Sequence, residues 1–294
     1  MIEIISMDQI VKAISEDGFV SISVINSKSL TQQAKEMRNC TPVVTAALGR
    51  TLAAASIIGS SMKKAGASLT IRIDGGGPIG SVIVVSDDEG NVRGYVSNPH
   101  ADVPKRADGK LNVGGVVGKD GMLSVIRDFG GREPYTGASA LVSGEIAEDF
   151  AAYFAASEQV PSACAFGVLV GRDRSVLAAG GYIVQLLPGA PGGVIDKVES
   201  NVGATGAVTD VLFSGGADAL LESVMSGFSP KVIERMPVEY RCTCNRERFL
   251  TAVLSLSKGE IDEMVAEGEP IEVCCQFCDH AYVFEISELG GSLL

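Results

Sequence analysis

Four cysteines near the end of the chain constrain its structure more than any other feature of the sequence. They are arranged as Cys242-Thr-Cys244, thirty intervening residues, and Cys275-Gln-Phe-Cys278. Zinc prefers four soft ligands in a tetrahedron, and two closely spaced thiolate pairs that folding brings together supply such a set. The pattern therefore predicts a zinc site on these residues, with an iron–sulfur cluster and ligation by His280 as the alternatives.

The C-x-C half makes this site a candidate redox switch. Residues two positions apart in an extended chain lie about 6.5–7 Å from each other, whereas disulfides prefer Cα separations of about 5.5–6 Å. A Cys242–Cys244 disulfide therefore requires a kinked chain, and it excludes the zinc-bound geometry. Metal-bound thiolates are already deprotonated, so they are oxidisable wherever an oxidant reaches them.

The other three cysteines lie outside this ligand set. Strand alternation turns Cys274 to the face opposite its neighbour Cys275, which favours a small buried residue at that position. Mispairing on oxidation and ligand exchange are the alternatives for Cys274. Cys40 and Cys164 lie in apolar segments, and this predicts that both pack in the core.

Charge and composition exclude several classes of function. The net charge of −12 opposes broad binding to nucleic acid or to anionic membranes, because both depend on Lys and Arg. The N-terminus lacks the pattern of a signal peptide, and no uninterrupted apolar run reaches the roughly 18 residues of a membrane helix. We therefore expect a cytoplasmic protein, in which thiols stay reduced. With His100 and His280 as the only histidines, no His-centred triad is indicated, and we expect no enzyme.

The chain divides by pattern into three segments, and the expected fold class is α+β. Residues 1–189 mix β-rich runs with helical patterns, which predicts an N-terminal core domain of α/β layers. Residues 190–231 combine many glycines with short helical patterns. They are interpreted as a metastable helical linker or, equally, as an ordinary helical connection. Residues 232–294 are predicted to form a small zinc-binding domain with Cys275 and Cys278 at a hairpin turn.

Local patterns add three predictions. Residues 42–64 are apolar almost all round, which predicts a buried helix with Pro42 near its first turn. Residues 144–159 carry apolar side chains at helical spacing, with Ser143 as the candidate N-cap. The GGGPIG segment at 75–80 has the glycine spacing of a dinucleotide-binding fingerprint. A β-rich run follows it instead of a helix, so a hairpin turn is the better interpretation.

With these residues in view, the chain resembles the redox-regulated 33 kDa heat-shock chaperonin family. The four-cysteine pattern is specific to that family, and the likeness extends over nearly the whole chain. The matching segments are IDGGGPIGSVIVV, NVRGYVSNP, GKLNVGGVVGKDGMLSVIRD, EPYTGASALVSGEIAEDFAAYFAASEQVPSA, GGYIVQLLPGA and YRCTCNRERF. The resemblance implies an α+β core, a helical linker and a zinc domain.

The resemblance also implies ATP-independent holdase activity under redox control. In the reduced, inactive form, zinc would be held by Cys242, Cys244, Cys275 and Cys278. Oxidation would form Cys242–Cys244 and Cys275–Cys278 disulfides, release zinc, and unfold the zinc domain and linker so that apolar surface captures unfolding client proteins. The active form would be a homodimer that passes clients to ATP-dependent foldases. Cys274 is a departure from the family motif.

Two other functions fit parts of the sequence. A zinc-ribbon adaptor for nucleic acid or a partner protein would use Arg241, Arg246 and Arg248, although a solvated helix face is the simpler interpretation. A thiol oxidoreductase would use Cys275 and Cys278. That chemistry needs a thioredoxin-like βαβ context, which the hairpin pattern opposes.

Overall fold

A computed structural model describes residues 7–131 and 133–290, and the chain divides into two compact units between Arg241 and Cys242. The strands are β1 (Gln9–Ile14), β2 (Val20–Asn26), β3 (Ser68–Asp74), β4 (Ser81–Asp87), β5 (Val92–Val96), β6 (Met122–Asp128), β7 (Tyr135–Ala140), β8 (Ser162–Val170), β9 (Val176–Leu186), β10 (Lys231–Pro237), β11 (Ile271–Cys274) and β12 (Ala281–Phe284). The helices are α1 (Lys28–Arg38), α2 (Pro42–Ser60), α3 (Val113–Val117), α4 (Ala147–Tyr153), α5 (Gly192–Ala204), α6 (Val208–Val224), α7 (Arg246–Leu254), α8 (Lys258–Glu267) and α9 (Ile286–Gly290), with a π-helical turn at Phe154–Glu158.

Two five-stranded antiparallel sheets form the first unit. Their strand orders are β10-β1-β2-β9-β8 and β5-β4-β3-β6-β7. Helix α2 packs against strands of both sheets, and its side chains join them in one apolar core. The α+β class predicted from the sequence is confirmed.

Helix α2 is the buried helix that the apolar run predicted. Pro42 occupies its first turn, and the Thr41 side chain caps it by accepting a hydrogen bond from the Val44 N–H. The helix is long and apolar enough to cross a membrane, but 94% of its most apolar window is buried inside the unit. Burial against strands of both sheets accounts for its composition, as for any central core helix.

Helix α6 covers the outer face of the β1-β2-β9 region, and helix α5 packs against α6. Leu212, Leu220 and Val224 of α6 are buried in a second apolar cluster, which also contains Val24 of β2 and Tyr182 of β9. The segment predicted as a linker is therefore helical and packed on the sheet. Its α6 is interrupted at Gly216, where φ is 68° and ψ is −161°.

The predicted start of the third segment at residue 232 differs from the observed division. Strand β10 pairs antiparallel with β1, from Gln9 opposite Pro237 to Ile14 opposite Lys231, and so forms an edge of the first sheet. The second unit begins at Cys242. Sequence patterns describe local structure only, and this pairing joins the chain to its own N-terminal strand.

The helix predicted over residues 144–159 begins later than expected, and Ser143 is not its N-cap. Helix α4 starts at Ala147 after Ile146, whose φ is 72°. The fully buried Asp149 carboxylate takes the capping role. It accepts hydrogen bonds from the backbone N–H groups of Val142, Ser143, Gly144 and Ile146. A buried carboxylate inside the helix thus replaces the cap that the sequence suggested.

Residues 75–80 form the predicted hairpin turn, which joins the antiparallel strands β3 and β4. A Cβ atom on Gly75 would lie 2.4 Å from the Gly118 carbonyl oxygen, so only glycine permits this close backbone approach. The segment opposite contains the short helix α3. The glycines serve backbone packing here and leave no phosphate-binding turn before a helix.

The second unit is small and has little apolar core. Helices α7, α8 and α9 accompany the two-stranded sheet of β11 and β12. Val253 and Ile261 are the buried members of its apolar cluster, and Phe284 and Cys275 are also buried. Helix α8 begins with a capping box, in which Ser257 and Glu260 are bonded reciprocally. Such a core is too small to stabilise a fold of this size without a further cross-link.

Candidate metal centre

The second unit brings together the side chains of Cys242, Cys244, Cys275 and Cys278. Their four Sγ atoms all lie within 4.8 Å of one another. Sulfur–sulfur contacts of 3.7 Å for Cys242–Cys275 and 3.4 Å for Cys244–Cys278 join one pair to the other. A tetrahedral ion with metal–sulfur bonds of about 2.3 Å requires sulfur separations of about 3.8 Å. The thiol cluster therefore fits one four-coordinate metal ion.

The two cysteine pairs are positioned by different local backbone structures. Cys242 and Cys244 lie in a segment without regular secondary structure just before α7, whose N-cap Asn245 accepts a hydrogen bond from the Arg248 N–H. Cys275 and Cys278 lie in the predicted hairpin turn between β11 and β12. There the Cys275 N–H donates to the His280 carbonyl at 2.9 Å, and the Asp279 N–H donates to the Cys275 carbonyl at 2.8 Å.

The donor set is chemically uniform. Four thiolates at tetrahedral spacing are typical of zinc or iron sites, and the spacing matches a single ion better than a cluster of several iron atoms. The imidazole of His280 is outside the four-sulfur group and packs edge-on against the Tyr282 ring, with 4.6 Å between centroids. Its proposed role as a substitute ligand has no support among the described contacts.

Tyr282 is a residue of the site that sequence reasoning did not identify. Its hydroxyl donates a hydrogen bond of 3.1 Å to the Cys244 Sγ, and its ring stacks on Phe249 at 4.9 Å. That hydrogen bond is the main reason why the pKa of the Tyr282 phenol is raised to about 12. The sequence signal that could have identified Tyr282 is its position in β12, four residues after Cys278. Groups that hydrogen-bond to metal ligands orient them and tune the site.

The sulfur atoms differ in the ease with which they ionise before a metal binds. Burial raises the pKa of Cys278, and hydrogen bonds to the other sulfurs raise it further. Burial acts in the same direction on Cys244, but the hydrogen bond from Tyr282 and those from the other thiols lower its pKa overall. These hydrogen bonds therefore favour the thiolate form of Cys244, the form that binds metal and reacts with oxidants.

The three remaining cysteines behave differently from this cluster. The expectation that Cys274 is buried was wrong, because its side chain is exposed on β11 with its Sγ 3.7 Å from Glu272 Oε1. Cys40 is buried, and Cys164 packs against the core of the first unit. Burial raises the pKa of Cys40 to about 11 and that of Cys164 to about 12. Both thiols are thus held in their unreactive protonated form.

Two of the three arginines that favoured a nucleic-acid adaptor pair with carboxylates of the protein, and the third, Arg248, donates a hydrogen bond of 3.4 Å to the Thr243 carbonyl. In the first unit, Arg241 pairs with Glu239 at 2.8 Å and with Glu89 at 3.1 Å. In the second unit, Arg246 pairs with Glu288 at 2.7 Å and lies over the Phe284 ring. Such pairing reduces the positive field that phosphate binding requires.

An α+β core followed by a small four-thiolate unit defines a class of proteins with a C-terminal metal centre. The model of the Hsp33 protein family matches residues 8–285. A 33 kDa chaperonin of Alkaliphilus metalliredigens is 41% identical over 286 residues, covering 97% of this chain and 98% of that protein. Another from Clostridioides difficile is 44% identical over 283 residues, covering 96% and 97%. The chain belongs to the Hsp33 family.

A solved structure supports the same assignment. The crystal structure of a 33 kDa chaperonin from Thermotoga maritima, a heat shock protein 33 homologue, matches with a TM-score of 0.90 and 35% sequence identity, and the match covers 97% of both chains. The family resemblance inferred from the sequence is thereby confirmed. The family identifies this chain as an Hsp33-type chaperone.

Proposed function

We propose that this protein is a redox-regulated, ATP-independent holdase whose switch is a zinc ion held by Cys242, Cys244, Cys275 and Cys278. The observation that carries the proposal is the group of four sulfurs within 4.8 Å, contributed by two cysteine pairs of a unit with a very small apolar core. Because structural zinc contributes about 10–16 kcal/mol of apparent binding energy, the ion would be the main stabiliser of this unit.

In the reduced state, the four thiolates coordinate the ion, and the ion stabilises the second unit by cross-linking its segments. Cys242 and Cys244 fix the segment before α7, and Cys275 and Cys278 fix the β11–β12 turn. The Tyr282 hydroxyl keeps the Cys244 sulfur in place through its hydrogen bond. Zinc supplies charge neutralisation and a tetrahedral cross-link between these segments. The client-binding surface stays covered in this state.

Oxidation removes the four ligands together. Two molecules of peroxide accept four electrons from four thiolates and, with four protons, yield two disulfides and four waters. The proposed pairs, Cys242–Cys244 and Cys275–Cys278, follow from the family resemblance. The sulfur contacts of 3.7 and 3.4 Å join opposite pairs, so disulfide formation within each pair requires the sulfur atoms to move out of these contacts. Release of the ion and loss of the fold of the second unit follow.

The helices over residues 190–231 are the proposed source of client-binding surface. Helix α6 buries Leu220 and Val224 against the outer face of the first sheet, and it is interrupted at Gly216. Detachment of this metastable linker would uncover the apolar side chains on both surfaces. Segments 1–189 and 190–231 would then act as core and linker, and the unit that begins at Cys242 would act as the redox-switch domain. The active form would be a homodimer that holds unfolding clients for ATP-dependent foldases.

This proposal describes a protein of the cytoplasm that performs no catalysis. Four thiolates that hold an exchangeable metal need a reducing compartment. The hairpin that carries Cys275 and Cys278 lacks the βαβ context of a thiol oxidoreductase. Turnover of insulin disulfides would favour that alternative, and salt-dependent nucleic-acid binding would favour the adaptor.

The decisive test combines zinc release, thiol counting and client aggregation. Peroxide with mild heat should release about one zinc per chain. The free thiols counted after denaturation should fall from seven to the three outside the cluster, Cys40, Cys164 and Cys274. The same sample should suppress aggregation of a thermally unfolding client. A Cys275→Ser, Cys278→Ser double variant should lack the peroxide response, whereas Cys40→Ser should retain it. If the oxidised, zinc-free protein left client aggregation unchanged, the holdase proposal would fail.

A further inference from the structure

Away from the cysteines, the first unit contains a cavity of about 720 Å³ with an unusual charge. Its walls come from the loop before α3, from strand β8 and the turn that follows it, and from the first turn of α6. Six cationic side chains line it, and these are Arg50, Lys105, Arg106, Lys110, Arg172 and Arg174. The carboxylates lining it are those of Glu145 and Asp210. This basic cavity occurs in a chain with a net charge of −12.

Most of these cations are not neutralised by the protein. Arg50 donates to Glu145 Oε2 at 2.8 Å, and Arg106 lies 3.5 Å from the same carboxylate. Among the described residues, no carboxylate lies within 4.0 Å of the charged groups of the other four, Lys105, Lys110, Arg172 and Arg174. The Nε atom of Arg50 is buried and has no hydrogen-bond partner in the described structure.

The unpaired cations that line the cavity make it suited to bind an anion. Like charges that face one cavity repel one another, and a bound anion converts that repulsion into attraction. A buried guanidinium N–H without an acceptor is costly, and the pairing of Arg50 with Glu145 leaves one of its donors unsatisfied. The N-terminus of α6, at Ala207–Asp210, adds the partial positive charge of a helix end.

The chemistry of the cavity selects phosphate among anions. Arginine presents a planar fork of N–H donors that matches phosphate oxygens, and three arginines besides Arg50 line the space. Its volume lies in the range of about 300–1,000 Å³ typical of pockets for ligands much larger than one phosphate. Phe166 and Val168 provide an apolar floor. The dimensions therefore suit a chain of several phosphates.

We propose that the basic cavity binds an oligophosphate anion, either as free inorganic oligophosphate or as the phosphate tail of a nucleotide. The binding would be electrostatic and would need no hydrolysis. It involves residues of the first unit alone, so it is independent of the thiol switch and of the holdase proposal.

The test is calorimetric titration of the full-length, reduced, zinc-loaded protein at low ionic strength. Inorganic tripolyphosphate and ATP are the two probes, with orthophosphate and citrate as comparison anions. The Lys105→Gln, Arg172→Gln variant removes two cavity cations, whereas the Lys28→Gln, Lys63→Gln control removes two exposed cations that do not line the cavity. Because each charge-assisted contact with phosphate is strong, we expect the cavity variant to bind about tenfold more weakly or worse, and the control by less than about twofold.

The possible outcomes show which form of oligophosphate binds, and they include results that would contradict the proposal. Binding of both probes supports recognition of the phosphate chain itself, whereas binding of ATP alone or tripolyphosphate alone supports the nucleotide or the inorganic form. Thermal unfolding of the variants checks that each is folded. The proposal is overturned if neither probe saturates the protein, if both double variants weaken binding equally, or if citrate binds as tightly as tripolyphosphate.

Discussion

At the scale of single residues, Cys244 and Tyr282 show how a metal ligand depends on its neighbours. The Tyr282 hydroxyl lies 3.1 Å from the Cys244 sulfur, and the stacked Phe249 ring holds the tyrosine in position. A hydrogen bond to a thiolate stabilises the charged form and restricts the approach of an oxidant to that sulfur. The Cys242–Cys244 pair is thus stabilised by a residue of strand β12, which follows the Cys275–Cys278 pair.

Replacing Tyr282 by phenylalanine should weaken zinc binding. The substitution keeps the ring stack but removes the hydrogen bond to Cys244, and loss of such a supporting contact costs about 10–100-fold in metal affinity. Competition with a chromogenic chelator measures the affinity, and the same assay after peroxide should show faster release. Tyr135→Phe, at an exposed tyrosine of the first unit, should change neither quantity. Equal affinities for Tyr282→Phe and the unaltered protein would contradict this role.

Asp149 illustrates a purely structural carboxylate. It is fully buried and accepts four backbone N–H groups at the entry to α4. Asp149→Ala should lower the free energy of unfolding of the first unit by about 3 kcal/mol, because buried donors would lose their acceptor. Urea unfolding gives the value. As a control, Asp120→Ala at an exposed position should change the free energy of unfolding by no more than about 0.5 kcal/mol. An equally small change for Asp149→Ala would show that other groups cap this loop.

At the scale of elements, helices α5 and α6 have buried apolar side chains although their sequences have low helix propensity. Val198 of α5 and Leu220 of α6 are buried in the second apolar cluster, yet glycines lie inside both helices. Gly216 adopts a φ of 68°, which interrupts α6, whereas Gly203 of α5 has open space where a Cβ atom would lie. Packing holds these helices in place, and their backbone contributes little stability of its own.

Two glycine substitutions should move the stability of this segment in opposite directions. Gly203→Ala should raise the free energy of unfolding by about 0.5–1 kcal/mol, because glycine loses more conformational entropy than alanine when a helix forms. Gly216→Ala should lower it by about 1–3 kcal/mol, because alanine is strained at that φ and ψ. If detachment of α5 and α6 activates the protein, Gly203→Ala should raise the temperature at which peroxide induces holdase activity and Gly216→Ala should lower it. The same activation temperature for both variants would exclude these helices from the switch.

At the scale of the whole molecule, the two units differ in what stabilises them. The first unit has a central helix packed between two sheets and a second apolar cluster on the outer face of one of them. The second has a small cluster around Val253 and Ile261. We therefore expect the stability of the second unit to come largely from a metal cross-link among the four cysteines.

Removal of the metal should unfold one unit and spare the other. After chelation under reducing conditions, amide hydrogen exchange should become fast across residues 242–290, while β2, β9 and α2 stay protected. Cys274→Ser should behave as the unaltered protein does, because that exposed thiol is outside the four-sulfur cluster. Persistent protection of α7 and α8 without metal would show that their own packing suffices.

The sequence by itself determined the four cysteines of the cluster and the buried helix α2, because each depends on spacing or periodicity within one segment. It also determined the family and the α+β class, because matching segments and alternating local patterns recur along most of the chain. Only the tertiary structure decided the placement of β10 at the edge of the first sheet, the capping of α4 by Asp149, the exposure of Cys274 and the contact between Tyr282 and Cys244. The basic cavity belongs to the same group, since its cations come from separate segments of the chain. Such features arise from contacts between residues distant in sequence, which no local pattern records.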